Sequence, residues 1–194
     1  MPLTDPVPDR ERLHSRRIEM HGFRRPDGLF DIEAHLHDSK SYDFENIDRG
    51  TIAAGDALHG MWVRMTVDEA MVIQCCEAVT DFAPYAICPG GATNFASLAG
   101  VTIGFGFSRS VKDRVGGVSG CTHLRELLAQ MATVAFQTIG PVKWRRAREA
   151  AEAAAKAGLP PPPGSERKLP LNSCHAYAPD SPVVLRHQKA AEPS

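Results

Sequence analysis

The sequence predicts an α+β fold: a four-stranded antiparallel sheet, helices packed on one face, and an extended C-terminal tail. Three observations lead there. Residues 29–40 alternate strictly, with Phe30, Ile32, Ala34 and Leu36 on one face and Asp31, Glu33, His35 and His37 on the other. That is the period-two pattern of a half-buried strand. A second strand pair follows at 58–67 and 71–80, joined by Asp68-Glu69-Ala70. The period then changes, and Leu124, Leu127, Leu128, Met131 and Ala135 fall on one helical stripe that can cover the sheet.

In chain order, residues 1–13 are rich in proline and charge and predict a flexible arm. Arg25-Pro26-Asp27-Gly28 closes a hairpin between 16–24 and 29–40, because Pro presets φ and Gly accepts the left-handed conformation that such turns need. Residues 41–57 are mostly polar and predict a loop. Within 58–67, His59 shares a face with Met61, Val63, Met65 and Val67, whereas Trp62 and Arg64 point the other way. Cys88-Pro89-Gly90-Gly91 is a breaker ahead of a short helix over 92–99, and a second short helix over 108–115 stops at Gly116-Gly117. The apolar stripe predicts a helix over 121–139. Residues 142–157 continue as a charged, alanine-rich helix with little apolar face beyond Trp144. A single domain over 14–158 is expected, then a proline-rich spacer over 159–168 whose prolines at 160–163 are stiff. Residues 169–188 are expected to pack back on the domain as an extended tail, and 189–194 to be disordered. There is no internal repeat.

Composition narrows the function. A chain of 194 residues can bury a core without staples, and 43% apolar with 23% charged residues is a globular composition. A net charge of −1 argues against a nucleic-acid surface. No stretch approaches the roughly eighteen apolar residues of a membrane span, and the N-terminal segment lacks the apolar core of a signal peptide. Five scattered cysteines, Cys75, Cys76, Cys88, Cys121 and Cys174, fit no disulfide framework and point to reduced thiols in the cytoplasm. There is no CxxC, P-loop, dinucleotide-binding glycine pattern or Gly-x-Ser-x-Gly elbow, which counts against a nucleotide-dependent enzyme or a serine hydrolase.

Three constellations carry chemistry. Glu33, His35 and His37 project together, with Asp31 and Asp38 near. A histidine beside a carboxylate makes a base, and two imidazoles with a carboxylate suit zinc or iron. The exposed face of an antiparallel sheet is also polar by default. His59 heads an apolar strand face, where burial shifts a histidine's proton affinity; a core histidine bonded to a carbonyl gives the same pattern. Arg64 can anchor a carboxylate or phenolate, or simply pair with Glu33 or Asp38. The third is Gly120-Cys121-Thr122-His123 at the start of the strongest helix. There the dipole favours a thiolate, His123 can assist, and the glycines free N–H groups for an anion. A cysteine is equally often a small buried hydrophobe. Cys88 is a further candidate thiol, and Cys75-Cys76 reads as structural.

Residues 25–40, Arg-Pro-Asp-Gly-Leu-Phe-Asp-Ile-Glu-Ala-His-Leu-His-Asp-Ser-Lys, resemble the signature of a bacterial family known as domain of unknown function 2889. So do Leu58-His59-Gly60-Met61-Trp62-Val63-Arg64, Gly120-Cys121-Thr122-His123-Leu124 and Cys174-His175-Ala176-Tyr177, which extends the likeness over residues 14–180. The family pattern usually carries Asp at the position of Gly60, so this chain lacks a carboxylate adjacent in sequence to His59. The resemblance implies breakdown of plant-derived aromatic compounds, including lyases that release formaldehyde from lignin-type dimers. A retro-aldol step would use His59 or Glu33 as base, Arg64 or Lys40 to steady a phenolate, and His123 as a further catalytic group. Trp62, Asp38 and Tyr85 would contact the substrate. No cofactor is then required, because the aromatic ring takes up the electron pair. A weaker likeness at the level of fold is to iron–sulfur scaffolds of the IscU and NifU type, with Cys88, Cys121 and His123 in the ligand positions. The further cysteine that such scaffolds carry before the sheet is missing here.

Each function class has its own geometry. An enzyme acting on a small molecule needs Glu33, His59 and Arg64 in one cleft, the outer strand face being roofed by the C-terminal tail. A zinc, iron or cluster carrier needs Cys88, Cys121 and His123 at sulfur–metal spacing. A homodimeric interaction protein without chemistry would disperse these groups and expose an apolar patch. The enzyme is the leading expectation.

Overall fold

The computed structural model describes residues 3–165 and 169–191. The chain divides into two compact units, Met1–Pro141 and Val142–Ser194, so the expected domain over 14–158 straddles that division.

The first unit is built on an antiparallel sheet with strand order β1-β2-β5-β6, formed by β1 His14–Arg24, β2 Phe30–Lys40, β5 Ala57–Val67 and β6 Ile73–Phe82. The β1–β2 hairpin turns where the Pro-Asp-Gly signal lies: Gly28 has φ 87°, and Asp27 Oδ1 accepts the Leu29 N–H at 3.2 Å. The alternation of β2 is realised, with Phe30, Ile32 and Leu36 fully buried. They face Val67, Met65 and Met61 across the β2–β5 register. Helix α2, Thr122–Lys156, supplies the cover, since its stripe of Leu124, Leu127, Leu128, Met131 and Ala135, with Ile139, is buried. Fully burying each such side chain stabilises the fold by about 1.5–3 kcal/mol.

Two contacts orient α2. Arg16 reaches Glu126 at 3.4 Å, and a Cβ placed on Gly22 would lie 1.9 Å from Thr138 Oγ1. From Glu126 to Thr138 the helix rises about 18 Å, and from Arg16 to Gly22 the strand covers about 20 Å, so α2 runs alongside β1 in the same direction. Gly22 is the point of closest approach. Its absent side chain leaves room for Thr138, whose β-branched rotamer is stiff in a helix and whose own Cβ would be 2.9 Å away. Gly22→Ala is therefore expected to lower stability by about 1–3 kcal/mol through overpacking. Thr138→Ala in the same chain should recover part of that loss in urea denaturation; additive losses would show that the two residues are not coupled.

Several expectations need correction. The predicted loop over 41–57 contains a small hairpin, β3 Phe44–Asn46 and β4 Gly50–Ile52. Its turn is held by Asn46 Oδ1, which accepts the N–H groups of Asp48 and Arg49, while Gly50 takes φ 67°. Strands this short carry no readable periodicity. The breaker at Cys88 is instead the start of a 3-10 helix, Cys88–Leu98. Pro89 sits in the first turn, where its missing N–H has no partner to lose, and Ala92, Phe95 and Leu98 are buried at the three-residue spacing of that helix type. Helix α1 spans Phe107–Val115 as expected, give or take a residue. Helix α2 continues through Pro141, so the stretches read over 121–139 and 142–157 form one helix.

In the second unit the expected extended tail is replaced by a 3-10 turn, His175–Tyr177, and helix α3, Pro182–Ala191. Ser181 caps α3: its Oγ accepts the Val184 N–H at 3.2 Å and donates to the Ala176 carbonyl at 2.6 Å. Residues 189–191, expected to be disordered, lie within α3. Residues 1–2 of the predicted arm, 166–168 of the spacer and 192–194 of the terminus lie outside the described residues. Among the described residues no helix is long and apolar enough to cross a membrane.

Candidate active site

Strand register places three polar residues in one row. Arg16 faces Asp38 across β1–β2, and Asp38 faces His59 across β2–β5. All three lie on the helix-covered side of the sheet, at the end where the β2–β5 register shifts after Asp38. Asp38 is 1% exposed and His59 8%. A carboxylate so buried must be compensated. Arg16 grips it with a two-pronged fork, Nε to Oδ1 at 2.8 Å and Nη2 to Oδ2 at 2.7 Å. His59 Nδ1 lies 3.1 Å from Oδ2, and the half-exposed His14 approaches Oδ1 at 3.6 Å.

Burial alone pushes the Asp38 carboxyl up, but the Arg16 guanidinium, with smaller contributions from His59 and His14, holds it below the usual carboxylate range. Burial, and after it the neighbouring His123, push His59 below the usual imidazole value against the opposing pull of Asp38. At neutral pH the pair is thus a carboxylate and a neutral imidazole. A carboxylate only accepts, so the Nδ1–H of His59 donates to it and Nε2 keeps its lone pair.

The signs of these shifts fix the pH response of stability. For His59, whose folded pKa is lowered, the unfolded chain takes up the proton first; stability is full above about pH 6.5 and falls as pH drops towards the folded value. For Asp38, also lowered, the contribution is present above about pH 4 and is lost as pH falls through the folded value. The melting temperature of wild type is therefore expected to decline between about pH 7 and pH 5 more steeply than that of His59→Gln. Parallel slopes would show that His59 does not titrate as a buried group.

Helix α2 brings a second set of groups to this end of the sheet. The His123 ring lies 4.0 Å from that of His59 at 35°, and Cys121 Sγ is 3.9 Å from His123 Nδ1 and 4.0 Å from Met61 Sδ. Among the described residues, Asp38, His59 and His123 are the group of three whose donor atoms lie within 4.8 Å of one another. Cys88 forms no such group with Cys121 and His123, so the expected ligand set for zinc or iron is not assembled.

The expected convergence of Glu33, His59 and Arg64 is not found either. His59 and Arg64 differ in parity on one strand, so they project to opposite faces. Arg64 pairs with Glu33 at 2.6 Å and Glu77 at 3.3 Å on the outer face. There Trp62 stacks on His35 at 3.9 Å and donates its indole N–H to Asp81 at 3.0 Å. Glu33, Trp62, Arg64, Glu77 and Asp81 border an open depression of about 280 Å³. Lys40 is engaged by the Tyr42 hydroxyl at 2.7 Å, and Tyr85 is exposed ahead of the 3-10 helix. A second depression, about 350 Å³, is lined by Phe107, Val111, Lys112 and Arg125. Neither contains His59. Buried, convergent titratable groups mark chemistry more directly than concavity on an open surface, which makes the Asp38–His59–His123 cluster the candidate site.

Residues 14–137 match the family model described as a protein of unknown function, DUF2889. The chain belongs to the DUF2889 family. No curated protein and no solved structure matches it, so the iron–sulfur scaffold likeness gains no structural neighbour. The DUF2889 span contains Arg16, Asp38, His59, Cys121 and His123, that is, the whole cluster. It ends before Cys174-His175-Ala176-Tyr177, short of the expected limit at 180. Gly60 does not leave His59 without a carboxylate, because Asp38 supplies one from the neighbouring strand. Arg16 and His14 were missed from sequence. The hairpin register would have found Arg16, since the turn at 25–28 sets it opposite Asp38.

Proposed function

We propose that this chain is a cofactor-independent acid–base enzyme, a C–C lyase that releases formaldehyde from a small phenolic metabolite. The observation that carries the proposal is the buried Asp38–His59 pair, with its tautomer set by Asp38 and its Nε2 lone pair unspent. This is the arrangement by which a carboxylate orients an imidazole base. In the step proposed, His59 Nε2 takes the proton of a substrate hydroxymethyl group. The C–C bond to that carbon breaks as the C=O of formaldehyde forms. The electron pair passes into a conjugated acceptor on the substrate, the para-quinone methide left when a para-hydroxybenzyl carbon has lost its oxygen substituent, and that ring becomes the phenolate. We assign His123, packed against His59, to hydrogen-bond the reacting oxygen. Arg64 is committed to Glu33 and Glu77 on the other face and is not the phenolate partner. The setting proposed is the cytoplasm, in keeping with five free thiols.

One observation favours a second reading. Two imidazoles and a carboxylate within 4.8 Å suit zinc or iron. The Arg16 fork counts against it, since both oxygens of Asp38 already face a guanidinium that a dication would have to neighbour. The deciding experiment combines metal analysis by plasma mass spectrometry with a formaldehyde assay on phenolic dimers bearing a free hydroxymethyl group. Release by metal-free wild type, absent in His59→Ala, supports the lyase. Near-stoichiometric zinc or iron that is lost in Asp38→Asn, with turnover abolished by a chelator, would sink it.

A further inference from the structure

The acid–base reading leaves two sulfur atoms at the site unused. Cys121, just ahead of α2, is partly exposed, and its Sγ lies 4.0 Å from Met61 Sδ and 3.9 Å from His123 Nδ1. Met61 is 1% exposed and follows His59 by two residues on β5, so both point to the helix-covered side. The 3-10 helix packs against Cys121: a Cβ on Gly91 would sit 3.3 Å from Cys121 Cβ. The His123 ring, in turn, lies against His59, whose Nε2 is the nitrogen not engaged by Asp38.

A thiol, a thioether and the His123 imidazole therefore meet at one end of the sheet. Donor pairs about 4 Å apart are close to what a single ion requires, because bonds of about 2.0–2.3 Å at tetrahedral to trigonal angles hold donors roughly 3.3–4 Å apart. The softness of the set decides the ion. Thiolate and thioether select copper(I), and imidazole accepts it, whereas carboxylate suits harder ions. The one hard donor nearby, Asp38, is withheld by Arg16.

We propose that Cys121, Met61 and His123 bind one copper(I) ion. On binding, the Cys121 S–H bond breaks, an S–Cu bond forms and the proton leaves to solvent; copper stays in the +1 state and no electron is transferred. The inference does not rest on the lyase reading, and its test needs no turnover.

Reduced full-length protein is titrated anaerobically against copper(I) held by a chromophoric chelator such as bicinchoninate. One equivalent per chain should be withdrawn. Cys121→Ser and Met61→Leu should each weaken uptake by about tenfold or more. The exposed Cys174→Ser should not. Met61→Leu conserves volume, so thermal unfolding without copper should stay near wild type and separate loss of a donor from loss of the fold. X-ray absorption at the copper edge should show sulfur neighbours, one fewer in Met61→Leu. The proposal is overturned by absence of uptake, by uptake that survives Met61→Leu or depends on Cys174, or by a preference for zinc that disappears in Asp38→Asn.

Discussion

Formaldehyde release is expected to fall by about 10²- to 10⁴-fold in His59→Ala, the usual worth of a positioned general base. The loss should appear in kcat and leave KM nearly unchanged, because His59 is buried and makes the proton transfer rather than the bulk of the binding surface. Asp38→Asn should show a comparable loss for another reason. An amide in place of the carboxylate no longer requires a hydrogen on Nδ1, so the imidazole is free to turn or to carry its proton on Nε2. The two variants are told apart by pH. In wild type the rate should hold to below the usual imidazole pKa, since burial and His123 keep His59 neutral there. In Asp38→Asn the acid limb should move, whereas His59→Ala should have none. Full activity in His59→Ala would end the proposal.

The second large effect is on stability. Asp38→Ala is expected to destabilise the fold by about 3 kcal/mol, at the low end of what removing one partner of a buried ion pair costs. The low end applies because Arg16, left behind, is part-exposed and retains Glu126 at 3.4 Å. Replacing both partners with apolar side chains, Asp38→Leu with Arg16→Met, should return much of the loss, since neither charge is then stranded. Urea midpoints at unchanged slope would measure both. A single-variant loss of less than about 0.5 kcal/mol, the range of ordinary surface changes, would show that the row is not a structural anchor.

The site was legible in pieces and not as an assembly. His59 stood out as the one ionisable residue among Met61, Val63, Met65 and Val67 on its face, and that face is buried. Asp38 and His123 were singled out too, Asp38 as a substrate contact and His123 as a further catalytic group. Grouping Glu33 and Arg64 with His59 contradicted the strand's own parity, which already sets His59 and Arg64 on opposite sides; the Glu33–Arg64 ion pair is the structural alternative that the pattern also allowed. The Cys88 proposal failed differently: a proline-glycine run reads as a break, yet a 3-10 helix begins there because Pro89 fits its first turn.

The sequence by itself determined the strands, their buried faces and the covering helix, because each depends on a period of two or 3.6 residues repeated over ten or more positions. It also determined the β1–β2 register, since one short turn sets it. Only the tertiary structure decided that Asp38 meets His59 and that His123, Cys121 and Met61 join the row. Those contacts join residues far apart in the chain, where a one-residue slip in pairing would send every side chain to the other face. Local periodicity cannot choose between such registers. The choice is made by burial: the register that pairs Asp38 with His59 also sets Phe30, Ile32 and Leu36 opposite Val67, Met65 and Met61 in the core.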